Sequence, residues 1–158
     1  MPRYVLEQTQ LIPRPRAEVF PFFSAAENLE RITPSSLGFR ILTPLPIEMR
    51  AGVLIDYRIS MSGVPMGWRT EITLWEPNDR FVDVQLKGPY RYWHHLHEFR
   101  DAPGGATEMH DRVDYELPFG PLGSAVHALF VRRMLHGIFE HRRQVIDDLF
   151  GAKPNSAH

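Results

Sequence analysis

A chain of 158 residues with 43% hydrophobic and 23% charged residues has the composition of one ordinary globular domain with a single core. A formal net charge of −1 gives no electrostatic basis for binding nucleic acid or an anionic membrane. The absence of cysteine excludes disulfides, thiolate metal sites and cysteine nucleophiles. No run of about 18 apolar residues is present, and the apolar stretch near Met1 is too short for a secretory signal, so a cytoplasmic protein without membrane insertion is expected.

Residues 3–12 carry Tyr4, Val5, Leu6, Leu11 and Ile12 and predict an opening strand that Pro13 and Pro15 stop. A short helix is expected over 16–25, beginning near Pro21 or kinked there, because proline removes a helical hydrogen bond and clashes one turn back. A second short helix covers 26–32 and ends at Thr33-Pro34. From Leu37 the pattern changes to short strands at 37–43, 52–61, 66–76, 80–87, 90–100 and 106–117, separated by proline- and glycine-rich breaks. Connections this short favour antiparallel neighbours.

Residues 121–150 then predict one amphipathic helix of about eight turns, with Pro121 in its first turn. Its apolar stripe steps by four through Leu122, Val126, Phe130, Met134 and Ile138, and continues with His141, Val145 and Leu149. Phe130, Met134, Ile138 and His141 are the helix residues expected at the surface of a cavity, with Gly137 leaving room there, while Arg142 and Arg143 are expected to serve the helix end and the surface. The tail 151–158 is expected to be disordered. The resulting fold class is α+β: a curved antiparallel sheet of about seven strands wraps a long C-terminal helix in a single domain, 1–150, with a space between the two layers.

The candidate site lies on one hairpin. At strand period, Phe81, Asp83 and Gln85 share one face of the first strand, and Trp93, His95, His97 and Phe99 share one face of the second. Gly88-Pro89 supplies the turn. Short loops pair residue 85 with 93 and residue 97 with 111, which sets Phe81 beside His97, Asp83 beside His95, His97 beside Asp111, and Trp93 beside Tyr115. A buried His97–Asp111 contact would raise the histidine pKa and fix its tautomer. The plain alternative is that these polar groups satisfy one another and set strand register. His95 and His97 have the spacing to chelate with Asp83 or Asp111, but His94 points away, and no metal is expected. Trp68 and Trp75 fall on opposite faces of one strand, so at most one lines a cavity.

The blocks Phe22-Phe23, Asn28-Leu29, Ile32-Thr33-Pro34, Gly88-Pro89-Tyr90, Trp93-x-His95-x-His97-x-Phe99 and Pro118-Phe119-Gly120, in this element order, resemble the START/Bet v 1-like helix-grip superfamily, or SRPBCC proteins. The resemblance covers residues 3–150 and implies binding in a cavity, without carrying over catalysis. The expected function is to bind a small, largely apolar organic molecule of lipid, polyketide or isoprenoid type, as carrier or sensor and without a cofactor. The alternative is a cyclase or dehydratase in which His97, oriented by Asp111, abstracts a proton alpha to a carbonyl. A third reading is a homodimer through an outer strip of Val82, Val84 and Leu86.

Overall fold

The computed structural model describes residues 3–61 and 63–151. β1 (Tyr4–Ile12), α1 (Arg16–Ser24) and a 3-10 turn (Ala26–Leu29) open the chain. β2 (Arg40–Ile41), β3 (Leu54–Met61), β4 (Val64–Glu76), β5 (Arg80–Lys87), β6 (Tyr92–Ala102) and β7 (Ala106–Glu116) follow. The seven strands form one antiparallel sheet in the order β1-β7-β6-β5-β4-β3-β2. The C-terminal helix joins α2 (Gly123–Val126) through a π turn (His127–Val131) to α3 (Arg132–Phe150) and packs across the inner face of the sheet. This is the expected helix-grip α+β architecture. Apart from Gly151, the expected tail lies outside the described residues.

Three local expectations differ. α1 spans Arg16–Ser24 with Pro21 inside it, so of the two alternatives at that proline a start there does not hold. The strand expected at 37–43 is only two residues long, because Ser35–Leu37 is a 3-10 turn that ends on Gly38 in the left-handed region, φ 55°. Trp68 and Trp75 both face inward: Ile72 pairs Asp83 and Leu74 pairs Val82, so Thr73 is an extra residue that reverses the alternation. Trp75 then packs on Phe20 and Phe81 while Trp68 packs on Tyr57, Tyr90 and Trp93.

The buried helix stripe is offset from the expected one. It runs Val131, Leu135, Phe139, Arg142 and Ile146. At 100° per residue, a strict step of four drifts by about 40° each time, whereas alternating four and three holds one face. Leu122 and Phe130 therefore point to solvent, 69% and 68% exposed. The outer strip proposed for a dimer is also not continuous, since Val82 is buried and only Leu86 is well exposed.

The inner face carries two apolar clusters. One gathers Trp68, Trp93, Val113, Tyr115, Leu135 and Phe139, and the other Phe20, Phe81, Phe99, Met109 and Ile146. Between them, at one level on four neighbouring elements, lie Asp83 of β5, His95 and His97 of β6, Asp111 of β7 and Arg142 of α3. β1 ties the sheet edge to the helix: the Gln10 side-chain amide donates to Arg143 O at 3.0 Å and to Asp147 Oδ1 at 2.9 Å.

Candidate functional site

A cavity of ≈ 180 Å³ opens between the sheet, the C-terminal helix and the segment from Phe22 to Ile41. Its walls are mostly apolar: Phe22, Phe23, Leu29 and Phe39 from the segment, Ile55, Trp68 and Ile72 from β3 and β4, and Met134, Leu135 and Phe139 from the helix. Phe81, Asp83, Trp93, His95, His97 and Ile138 of the expected set line it too.

Five expected residues, Asp111 among them, sit elsewhere. The Gln85 amide donates to Tyr90 O at 2.6 Å and its Oε1 accepts from Tyr90 N at 3.0 Å, so it staples the β5–β6 turn. Gly88 is needed there because a Cβ would come within 2.6 Å of Gln85 Oε1. Gln85→Ala is expected to lower unfolding free energy by about 1–2 kcal/mol in a denaturant melt, the worth of two hydrogen bonds. Tyr115 is buried in the core beneath the helix and its hydroxyl is hydrogen-bonded with His127 Nε2 at 2.6 Å. Phe130 faces solvent, and His141 lies half-buried beside the residue that does line the cavity, Arg142.

Asp111 is buried behind the cavity wall. The expected registers hold, with Phe81 opposite His97, Asp83 opposite His95 and His97 opposite Asp111. The hydrogen bonds nevertheless run diagonally. His95 Nε2–H donates to Asp111 Oδ1 at 2.8 Å, and His97 Nε2–H donates to Asp83 Oδ2 at 2.6 Å. His97 Nδ1 lies 3.3 Å from Asp111 Oδ1 but makes no well-formed hydrogen bond. The two imidazoles stack at 3.7 Å, and Phe81 covers the other face of His97 at 4.1 Å. Arg142 reaches Asp111 Oδ1 at 3.4 Å while its guanidinium lies over Phe23 and Phe139.

The electrostatics separate the two histidines. Burial, reinforced by the nearby His97 charge, pushes His95 down to about 4, so it is neutral at pH 7. Burial acts on His97 in the same sense, but contacts with Asp111 and Asp83 outweigh it and raise its pKa. Burial alone would raise both aspartates; Arg142 and the histidines hold Asp111 well below the usual carboxylate range, and His97 lowers Asp83.

Sequence reasoning missed Arg142, Tyr57, Thr70, Tyr90 and the whole 22–41 wall, while of Trp68 and Trp75 only Trp68 lines the cavity, within the expected limit of one. Arg142 was detectable, since it falls three residues after Phe139 and seven after Leu135 on the helix face. Tyr57 Oη and Thr70 Oγ1 are hydrogen-bonded at 2.9 Å. Trp68 Nε1, by contrast, is buried with no partner among the described residues.

The family model described as polyketide cyclase / dehydrase and lipid transport matches residues 12–140. The chain belongs to this family. A START superfamily protein from Mycobacterium smegmatis superposes with TM-score 0.69 at 11% identity, over 92% of this chain and 98% of that one. A protein from Chromobacterium violaceum gives TM-score 0.70 at 10% identity, covering 93% and 96%. A Thalictrum norcoclaurine synthase, solved with a transition-state analogue, gives 0.66 at 10% identity, covering 94% and 96%. At these identities the likeness is one of fold. Among curated proteins there is no match. No helix among the described residues is long and apolar enough to cross a membrane.

Proposed function

We propose that this chain binds a compact, neutral, largely apolar organic molecule in the cavity between sheet and helix, as a carrier or sensor in the cytoplasm. The observation that carries this reading is an apolar cavity with one buried, unpartnered donor, Trp68 Nε1–H, on its wall. Leaving such a group unpaired costs about 1–3 kcal/mol, which a ligand oxygen there would recover. Size narrows the class. The volume, ≈ 180 Å³, is near that of an apolar cavity of about 150 Å³ that holds benzene and below the roughly 300–1,000 Å³ of drug-sized sites. That size suits a substituted ring or short isoprenoid.

Native mass spectrometry of the purified chain, followed by identification of whatever denaturation releases, is the direct test. A stoichiometric small organic adduct is the expected result. Met134→Trp, which fills the cavity, is expected to abolish it, and Trp68→Phe to weaken binding about fivefold, the worth of one hydrogen bond. An adduct that survives Met134→Trp would place the ligand elsewhere and sink the reading.

The acid–base reading is second, with altered roles. His97 is held by Asp83, whose carboxylate, with Asp111, raises its pKa and favours its protonated form. Asp111 orients His95, whose lone pair on Nδ1 is the available base, but a pKa near 4 makes it a weak one. Turnover of a carbonyl substrate that disappears in His95→Gln would favour it.

A further inference from the structure

The donor atoms around Asp83 point to a second occupant of the same wall. Asp83, His95 and His97 each present one donor atom, and the three atoms lie within 4.8 Å of one another. His97 Nε2 is 2.6 Å and His95 Nδ1 3.9 Å from the same carboxylate oxygen, Asp83 Oδ2. Ligands at Zn–N and Zn–O bonds of about 2.0–2.2 Å in a tetrahedron stand about 3.3 Å apart, between those two values. All three residues line the cavity.

The atoms behind them fit as well. A histidine that ligates a metal usually donates its other N–H to a carboxylate. His95 does so already, from Nε2 to Asp111 at 2.8 Å. His97 Nδ1, buried and without a hydrogen-bond partner, faces the same Asp111 oxygen at 3.3 Å. One buried carboxylate thus backs both imidazoles, and Arg142 in turn neutralises it at 3.4 Å. Self-satisfied register polarity does not call for an orphaned ring nitrogen in that position.

We propose that Asp83, His95 and His97 form a binding site for a divalent first-row transition ion, with Zn²⁺ the simplest occupant, Asp111 as the positioning residue and an open coordination position toward the apolar cavity. Two neutral imidazoles and one carboxylate leave the ion with net positive charge, so an oxygen of a cavity ligand is the natural fourth partner. The site rests on the geometry of this cluster and not on the identity of any organic ligand, so each reading fails separately.

The test uses the untagged, chelator-treated chain and metal alone. Calorimetry with Zn²⁺, and Co²⁺ absorption spectra, are expected to give one ion per chain with a Kd below about 1 μM, comfortably weaker than structural zinc. Asp83→Asn, His95→Gln and His97→Gln should each weaken binding at least about a hundredfold, and Asp111→Asn by 10–100-fold. Since a cluster variant can misfold, the wild-type chain is also crystallised with Zn²⁺, where an anomalous peak is expected within about 2.2 Å of His95 Nδ1, His97 Nε2 and Asp83 Oδ2. No binding below 100 μM in the wild type would overturn the proposal. So would a peak at the surface group of His110, Glu7 and Glu98, or binding that folded cluster variants retain and His110→Gln loses.

Discussion

Arg142→Ala is expected to lower the unfolding free energy of the metal-free chain by about 3–5 kcal/mol at pH 7. The guanidinium is buried, 3.4 Å from Asp111, and is the strongest influence holding that carboxylate ionised against burial. Removing it leaves an enclosed negative charge with only the histidines for company, and also deletes the guanidinium's contacts over the Phe23 and Phe139 rings together with the side-chain stem. Typical domains have 5–15 kcal/mol in total, so the loss brings the chain close to its folding threshold. A denaturant melt measures it. The charge and packing contributions separate with Arg142→Met, which keeps a stem, and with Arg142→Met combined with Asp111→Asn, which removes the stranded charge. The double variant should recover at least half of the loss. If Arg142→Met is as stable as the wild type, the guanidinium contributes nothing and the electrostatic account of the cluster is wrong.

The failure to anticipate Arg142 has a physical cause. In the sheet, short loops between β5, β6 and β7 leave few registers, and alternation then fixes which residues face inward. Phe81 opposite His97 and His97 opposite Asp111 were therefore readable from the chain alone. Register gives Cα partners, however, and long side chains lean along the strand. The hydrogen bonds connect His95 to Asp111 and His97 to Asp83, the reverse of the simplest assignment. The helix was harder. A stripe chosen by hydrophobicity passes over a charged residue, so Phe130 and His141 were selected while Arg142 occupied the inward position between Phe139 and Ile146. That burial is tolerable only because Asp111 comes from a strand 31 residues earlier, and no local pattern reports such a partner. The extra residue at Thr73, which turns Trp75 inward, is equally silent in sequence. The cavity wall from Phe22 to Ile41 has little regular structure, and periodicity has nothing to act on there.

Stability of the metal-free chain is expected to peak near pH 6.5 and to fall on both sides, because the two stacked histidines titrate in opposite directions. His95 has its pKa depressed to about 4 by burial, against 6.5 unfolded. Its contribution is complete above pH 6.5 and is lost as pH falls toward 4, since the unfolded chain takes up the proton first. A shift of this size corresponds to about 3 kcal/mol. His97 has its pKa raised despite burial, by Asp111 and Asp83. Its contribution is complete below pH 6.5 and is lost as pH rises through the folded value. Asp83 and Asp111, both lowered, add a further loss only below their ordinary range. His127 is lowered by burial and Arg132 in the same sense as His95, but it sits near the helix start and is less enclosed. Denaturant melts from pH 4.5 to 8.5 test the profile, with His95→Gln as the decisive comparison. That variant should flatten the limb between pH 6.5 and 4.5 and leave the alkaline limb in place. His97→Gln should do the opposite. An acid limb of undiminished slope in His95→Gln would assign the loss to His127 or to surface groups, and the neutral, Asp111-oriented state of His95 would have to be abandoned.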